Sequence, residues 1–344
     1  MRPGKILIIQ LRQIGDVLLT TPVAEVLRAN FPEARIDFLT QPPCDQALAG
    51  NPHIDRVLAY DRRRPLGMLL DVRRAGYDLV IDFMSNPRSA LLTFASGAAV
   101  KAGPDYTASA WAYNRKFTLL PGRHDYNPFL KIDLAAQLGL ERVFYPYPKL
   151  YPSASDEAWA GAAMAGLGLT KENTIALAPA SRRETRRWPA EHYARLGAMA
   201  AELGLNVLVL WGPGEKALAD EVASASGSPA VRTAPETSTL GRLSSLLRRT
   251  SILVSNCSGT KHVAQASGVP TLGVYGSSRP GSWTPPDDPL HQTVRNESLH
   301  CIGCGSNDCP DAVCLKKLSP ETVFAKLVRM LPLTRQKVNN EPLS

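Results

Sequence analysis

The run Lys5-Ile-Leu-Ile-Ile-Gln-Leu-Arg-Gln-Ile-Gly-Asp16 constrains the fold more than any other part of the chain. Its short apolar segment, rich in Ile and Leu, reads as a buried strand. It ends at a glycine, and an amphipathic helix from Val17 to Asn30 follows. Strand, glycine and helix in that order open a parallel α/β sheet, which binds ligands in the crevice beyond the carboxyl ends of its strands. Asp16 stands in that crevice. A carboxylate there can take a proton from a substrate hydroxyl. The competing reading is a helix N-cap, a position that favours Asp, and this segment alone does not choose.

The alternation continues along the chain. Strands are predicted near 5–11, 35–40, 56–60, 78–83 and 99–102, with helices near 17–30, 42–50, 65–75, 87–96 and 128–138. Residues 146–153 carry three prolines and read as a linker. A helix over 154–167 follows, and the pattern restarts with strands near 174–178, 206–211, 252–255 and 270–275. Helices near 189–203, 214–226, 239–249 and 260–267 accompany them. Such order predicts doubly wound parallel sheets. Two α/β halves, 1–150 and 151–332, are expected to face each other across the main cleft. Ser319 and Pro320 suit the start of a last helix to about 331, and 333–344 read as a flexible tail.

A length of 344 residues supports two domains and ample core. Hydrophobic content of 44% with 20% charge describes a soluble protein. The longest apolar runs are strand-sized, short of the ~20 residues a membrane helix needs. No signal peptide is read at the start, so a cytoplasmic location is expected. The net charge of +8 is spread over both halves and favours anionic ligands or surfaces. No basic stripe interleaved with aromatics is present, so nucleic acid is not expected as a partner.

Three loops in the second half carry candidate chemistry. Asn256-Cys-Ser-Gly-Thr-Lys-His262 joins a strand to a helix. Its Ser258-Gly259 turn can bring backbone N–H groups and the helix dipole to an anion such as a diphosphate. Many α/β loops contain such a turn and bind nothing. His262 falls in the first helical turn, facing ligand or core. Ser181-Arg-Arg-Glu-Thr-Arg-Arg-Trp188 places four arginines at a strand end, suited to gripping phosphates or to a solvated loop packed over Trp188. Trp211-Gly-Pro-Gly-Glu215 closes a third strand, where Glu215 could accept hydrogen bonds from ribose hydroxyls or simply belong to a turn.

Four cysteines, Cys301, Cys304, Cys309 and Cys314, lie close in sequence. Their spacing is compatible with a structural zinc but lacks paired C-x-x-C knuckles, and free thiols in a loop are the competing reading.

Together these segments resemble the bacterial lipopolysaccharide heptosyltransferases, glycosyltransferase family 9. The resemblance rests on Ile8 to Pro22, Asn51-Pro-His-Ile-Asp55, Tyr77 to Asp82, Arg187-Trp-Pro189, Ser255 to His262, Gly268 to Gly276, and the cysteine loop running into Leu318 to Val323. The Ser277–Pro286 segment with Trp283 looks most like the heptosyltransferase III branch. The resemblance implies a GT-B fold, with the acceptor on the first Rossmann-like domain and the sugar nucleotide on the second. It implies inverting transfer of heptose from ADP-heptose to the lipopolysaccharide inner core, with no cofactor required for catalysis. By position Asp16 is then the general base, flanked by Arg12 and Gly15 on the acceptor side. Ser181, Arg186, Glu215, Ser258, Gly259, Lys261 and His262 fall in donor-binding segments. Arg186 stands where the family usually has a lysine. The family commonly reads Asp-Ser-Gly-Pro-x-His where this chain has Cys257-Ser-Gly-Thr-Lys-His262, so the carboxylate expected to help position the sugar is missing. Lys261 could add a phosphate contact or face solvent.

Three rival readings stay open at this point: a nucleotide-sugar epimerase, a glycosyltransferase using another sugar nucleotide, and a non-catalytic sugar-nucleotide-binding protein. A lipid-anchored acceptor implies peripheral contact with the inner face of the cytoplasmic membrane. Arg62-Arg63-Arg64 and Arg73-Arg74 could meet anionic lipid there, or be solvated charges at helix ends.

Overall fold

The structure, a computed structural model, describes residues 2–340, with side chains to Thr334. It divides into two compact units, Met1–Tyr151 and Pro152–Ser344. The first holds strands β1 (Lys5–Ile9), β2 (Arg35–Thr40), β3 (Arg56–Ala59), β4 (Leu79–Asp82), β5 (Val100–Pro104) and β6 (Arg115–Phe117). They form one parallel sheet in the order β3-β2-β1-β4-β5-β6. The second holds β7 (Thr174–Ala178), β8 (Asn206–Val209), β9 (Val231–Thr233), β10 (Leu253–Asn256), β11 (Thr271–Val274) and β12 (His291–Val294). Their order is β12-β11-β10-β7-β8-β9, again all parallel.

The central strands are mostly apolar, with polar residues confined largely to their ends, because helices cover both faces of each sheet. Ile6, Leu7, Ile8 and Ile9 of β1 are all fully buried. On one face, Met68 and Val72 of the helix Pro65–Ala75 pack with Leu7, Ile9 and Val80. In the second unit Trp188 and Tyr193 anchor a core with Ile175, Leu177, Val254 and Leu272.

Each sheet has one place where the winding reverses. β1 pairs with β2 on one side and β4 on the other; β7 likewise lies between β8 and β10. At such a switch point the connecting loops diverge to opposite faces and leave a crevice at the carboxyl ends of the two strands. The loops bearing Asp16, Arg186 and Ser258 follow β1, β7 and β10, so all three emerge at switch points.

Several elements differ from expectation. The single helix predicted over 17–30 is two, Ile14–Leu18 and Thr21–Asn30. Pro22 has no N–H to give the carbonyl of Leu18, and the Thr21 hydroxyl donates to it instead at 2.8 Å. The helix predicted over 42–50 is a short 3₁₀ turn, Cys44–Leu48, following Pro42-Pro43. The last helix runs over Pro320–Asn340, through Pro332, rather than stopping near 331. The helix therefore enters the segment from 333 that the sequence reads as a tail. Residues 341–344 of that tail lie outside the described residues. Among the described residues no helix is long and apolar enough to cross a membrane.

Candidate active-site elements in each unit

In the first unit Asp16 occupies the third position of the helix Ile14–Leu18, and Gln13 is the N-cap. Asp16 is therefore not the capping residue. It supports the cap from inside: its Oδ2 accepts the backbone N–H of Gln13 at 3.0 Å. A carboxylate offers about four acceptor positions, so this bond leaves capacity for a substrate hydroxyl, and Asp16 is only half-buried. Gly15 beside it is buried and Arg12 is exposed.

Directly beneath lies a cation that sequence reasoning missed. Lys131, on the helix Asn127–Ala136, is buried. Its ammonium donates to Thr20 Oγ1 at 2.6 Å, to the backbone carbonyl of Asp16 at 3.1 Å and to Gln10 Oε1 at 3.4 Å. Burial pushes its pKa down to about 8, and the Asp16 charge opposes that fall. Cys44 packs nearby, its thiol pushed up to about 11 by burial, with Asp45 and Asp16 adding, so it stays protonated at neutral pH. Asp82, at the end of β4, is fully buried and its carboxyl is raised by burial. It accepts from Met84 and Ser85 N–H and from the Tyr113 hydroxyl, each at 2.9 Å, and shapes the loop after β4.

In the second unit the loops after β7 and β10 are tied together by Asn256, the last residue of β10. Its Oδ1 accepts the N–H of Trp188 at 2.9 Å and its Nδ2 donates to the carbonyl of Pro179 at 2.7 Å. Trp188 itself is fully buried and donates to the carbonyl of Leu318 at 2.9 Å. The arginine loop therefore has a rigid base. Ser181 is buried, and its carbonyl accepts Arg187 at 2.7 Å. Arg182 and Arg183 are exposed. Arg186 is half-buried: its Nη2 makes a long 3.4 Å contact with Asn307 Oδ1, while its buried Nε has no partner among the described residues. The same holds for the hydroxyls of Thr185 and Ser278, although Ser277 Oγ reaches the carbonyl of Thr185 at 3.2 Å. Buried donors rarely go unpaired, so this corner has binding capacity that the protein itself leaves unused.

Ser258 is the N-cap of the helix Gly259–Ala266, its hydroxyl 3.2 Å from that of Ser255. A Cβ built on Gly259 would meet nothing within 4 Å, and its φ is not positive. Neither packing nor backbone conformation requires glycine there, which fits a position where a ligand comes close to the backbone. Glu215 is already engaged, accepting the N–H of Gly212 at 2.9 Å as the chain turns into the helix Lys216–Ala225.

The sequence left the direction of two side chains open here. Lys261 does not face solvent: it is 1% exposed, donates to the carbonyl of Trp283 and contacts Gln265 Oε1 at 3.4 Å. Burial lowers its pKa to about 8. His262 faces the interior, with its ring 5.9 Å from that of Trp283 and Nδ1 3.2 Å from Gln265 Oε1. Burial, with the Lys261 charge adding, holds it well below the usual histidine range. Both side chains are directed inward from the first turn of the helix. The four clustered cysteines are free thiols in different surroundings: Cys304 and Cys309 are exposed while Cys314 is buried. Among the described residues no three His, Cys, Asp or Glu are grouped to hold a metal ion.

The two parallel sheets match solved glycosyltransferases. A glycosyl transferase family 9 structure from Veillonella parvula is similar at TM-score 0.81 and 24% identity, over 96% of this chain and 97% of that one. The Escherichia coli heptosyltransferase WaaC with ADP-2-deoxy-2-fluoro heptose is similar at TM-score 0.68 and 24% identity, over 94% and 99%. The fold is GT-B, with two Rossmann-like domains. The model of the family described as glycosyltransferase family 9 (heptosyltransferase) matches residues 68–314, and the chain belongs to that family. It is 27% identical over 289 residues to lipopolysaccharide heptosyltransferase 3 of Escherichia coli, covering 79% of this chain and 83% of the relative.

Proposed function

We propose that this chain is an inverting heptosyltransferase that moves heptose from ADP-heptose to the inner core of lipopolysaccharide, with Asp16 as general base. The single observation that carries the reading is the half-buried Asp16 carboxylate, with one oxygen holding the start of its helix, at the carboxyl end of β1 beside the switch point. Asp16 takes the proton of the acceptor hydroxyl. The acceptor oxygen then bonds to C1 of the heptose as the C1–O bond to phosphate breaks, and ADP leaves with that electron pair. Attack opposite the leaving group inverts the anomeric centre.

The departing diphosphate needs fixed positive charge and N–H donors. Arg186 and the backbone at Ser258–Gly259 are the groups we assign to it, with Ser181 and Glu215 in the donor-binding loops. Lys261 and His262 support that helix from within. The WaaC structure with a fluorinated ADP-heptose supports the choice of donor, and the likeness to heptosyltransferase 3 supports the III branch. No cofactor is needed for this chemistry. The domain roles follow: residues 1–150 take the acceptor and 151–332 the sugar nucleotide.

Cys257 favours a second reading, a glycosyltransferase using a related sugar nucleotide, because it stands where the family commonly has aspartate. Incubating the protein with ADP-heptose and other nucleotide-sugars plus truncated lipopolysaccharide, read by mass spectrometry, tests both. A heptose mass added only from ADP-heptose supports the first. Addition of another sugar supports the second, and alteration of the donor without acceptor would replace both with an epimerase. The acceptor is membrane-anchored, so this reading also places the chain at the cytoplasmic membrane.

A further inference from the structure

The exposed large apolar side chains gather in the first unit. Helix Pro65–Ala75 buries Met68 and Val72 and turns Leu66 and Leu70 outward, 74% and 53% exposed. Residues four apart share a helix face, so the inner and outer pairs lie on opposite sides. Helix Pro87–Ala95 does the same, burying Leu92 while Phe94 is 57% exposed. Phe94 packs against the equally exposed Trp111, ring centroids 5.6 Å apart. The two helices are neighbours: a Cβ on Gly97, just past the second, would fall on the Arg73 guanidinium of the first.

Charge surrounds this apolar surface. Arg62, Arg63 and Arg64 are exposed before the first helix, and Arg73 and Arg74 are exposed in its last turn. Only Asp71, 3.7 Å from Arg64, offsets them on the helix itself. Outward leucines and aromatics with a basic border match an anionic bilayer surface, where apolar groups enter the headgroup boundary and arginines meet lipid phosphates.

We propose that the outer faces of helices Pro65–Ala75 and Pro87–Ala95, with Trp111, form the surface on which this chain rests against an anionic lipid bilayer. The inference rests on the reading of the acceptor as membrane-anchored, and deepens it by naming the contact. Because the basic cluster and the apolar face are adjacent, they act together: the arginines attract the surface and the side chains of Leu66, Phe94 and Trp111 insert.

The test is co-sedimentation of the full chain with vesicles of phosphatidylethanolamine and phosphatidylglycerol, and with phosphatidylcholine vesicles for comparison. The chain should pellet with the anionic vesicles and be released by salt. Arg62→Gln/Arg63→Gln/Arg64→Gln should lower partitioning on the order of a hundredfold. Leu66→Ser/Phe94→Ser/Trp111→Ser should lower it with little change in the salt dependence. Both variants should keep wild-type transfer to a delipidated soluble acceptor. A wild-type chain that stays in the supernatant, or variants that pellet unchanged, would overturn the proposal. So would self-association in sedimentation velocity that Phe94→Ser/Trp111→Ser abolishes, since a second copy would then cover this face. Vesicle binding is read without donor or acceptor. Failure of the transferase reading would instead show as wild-type protein that binds vesicles but transfers nothing to the soluble acceptor.

Discussion

The Lys131 ammonium lies 3.1 Å from the backbone carbonyl oxygen of Asp16, a buried cation fastened to the residue assigned as the base. It also bonds Thr20 Oγ1, whose hydroxyl donates to that same Asp16 carbonyl at 2.7 Å. Helix Asn127–Ala136 thereby fixes the short helix that aims Asp16.

This arrangement gives stability a defined dependence on alkaline pH. Lys131 and Lys261 each titrate near 8 in the native protein, against 10.5 ordinarily. Between those values the unfolded chain holds protons that the native state has released, so these two groups make stability rise with pH. The full shift corresponds to about 3 kcal/mol per lysine. Cys44, its thiol raised to about 11, opposes this rise from about pH 9, and the buried Tyr77 and Tyr113, raised above the usual tyrosine range, add to the opposition from about pH 10. Urea midpoints at pH 8 and 10 should therefore rise less in Lys131→Met than in the wild type. Equal rises would show that Lys131 is not the titrating group.

His262 contributes on the acid side, with His53, its pKa also lowered by burial, acting in the same direction. The folded pKa of His262 is depressed, so its contribution is complete above 6.5 and is lost as pH falls below that value, when the unfolded chain takes up a proton. The melting temperature of His262→Gln should fall less between pH 7 and 5 than that of the wild type. A parallel decline would contradict the buried neutral imidazole.

Gly259 separates binding from folding. Gly259→Ala has open space for its methyl group and a compatible backbone, so thermal stability should be equal or slightly higher. ADP affinity by calorimetry should drop about tenfold or more, a loss of about 1.4 kcal/mol. Unchanged affinity would remove this turn from the diphosphate site.

Asn256 is expected to be structural for the donor loops. Asn256→Ala strips partners from the Trp188 N–H and the Pro179 carbonyl. Leaving such groups unpaired costs about 1–3 kcal/mol. Denaturant titration should show that loss, and ADP binding should weaken with it. A fully stable variant would mean the loops hold each other without it.

Much of this was legible in the sequence because parallel α/β proteins write their strands as apolar runs. β2 and β7, and the helix Pro65–Ala75, have the bounds expected from residue pattern alone. β6 and β9 were missed because each is three residues long, partly exposed and carries charged side chains. β12 was missed because His291, Gln292 and Thr293 hide its strand character at the outer position of the sheet. The loops bearing Asp16, Arg186 and Ser258 were found because each follows a strand. Lys131 was not, since a lysine in a helix reads as solvated and its partners stand more than a hundred residues earlier. Burial of Lys261 was hidden for the same reason: one lysine beside a glycine turn gives no sign of which way it points.

The most direct test concerns Asp16 itself. Asp16→Asn keeps the shape and an oxygen able to accept the Gln13 N–H, so folding and ADP affinity should match the wild type. Heptose transfer from ADP-heptose to purified acceptor should fall by a factor of about 10²–10⁴, the range for loss of a general base. Transfer at near wild-type rate by a correctly folded, ADP-binding Asp16→Asn protein would contradict the account.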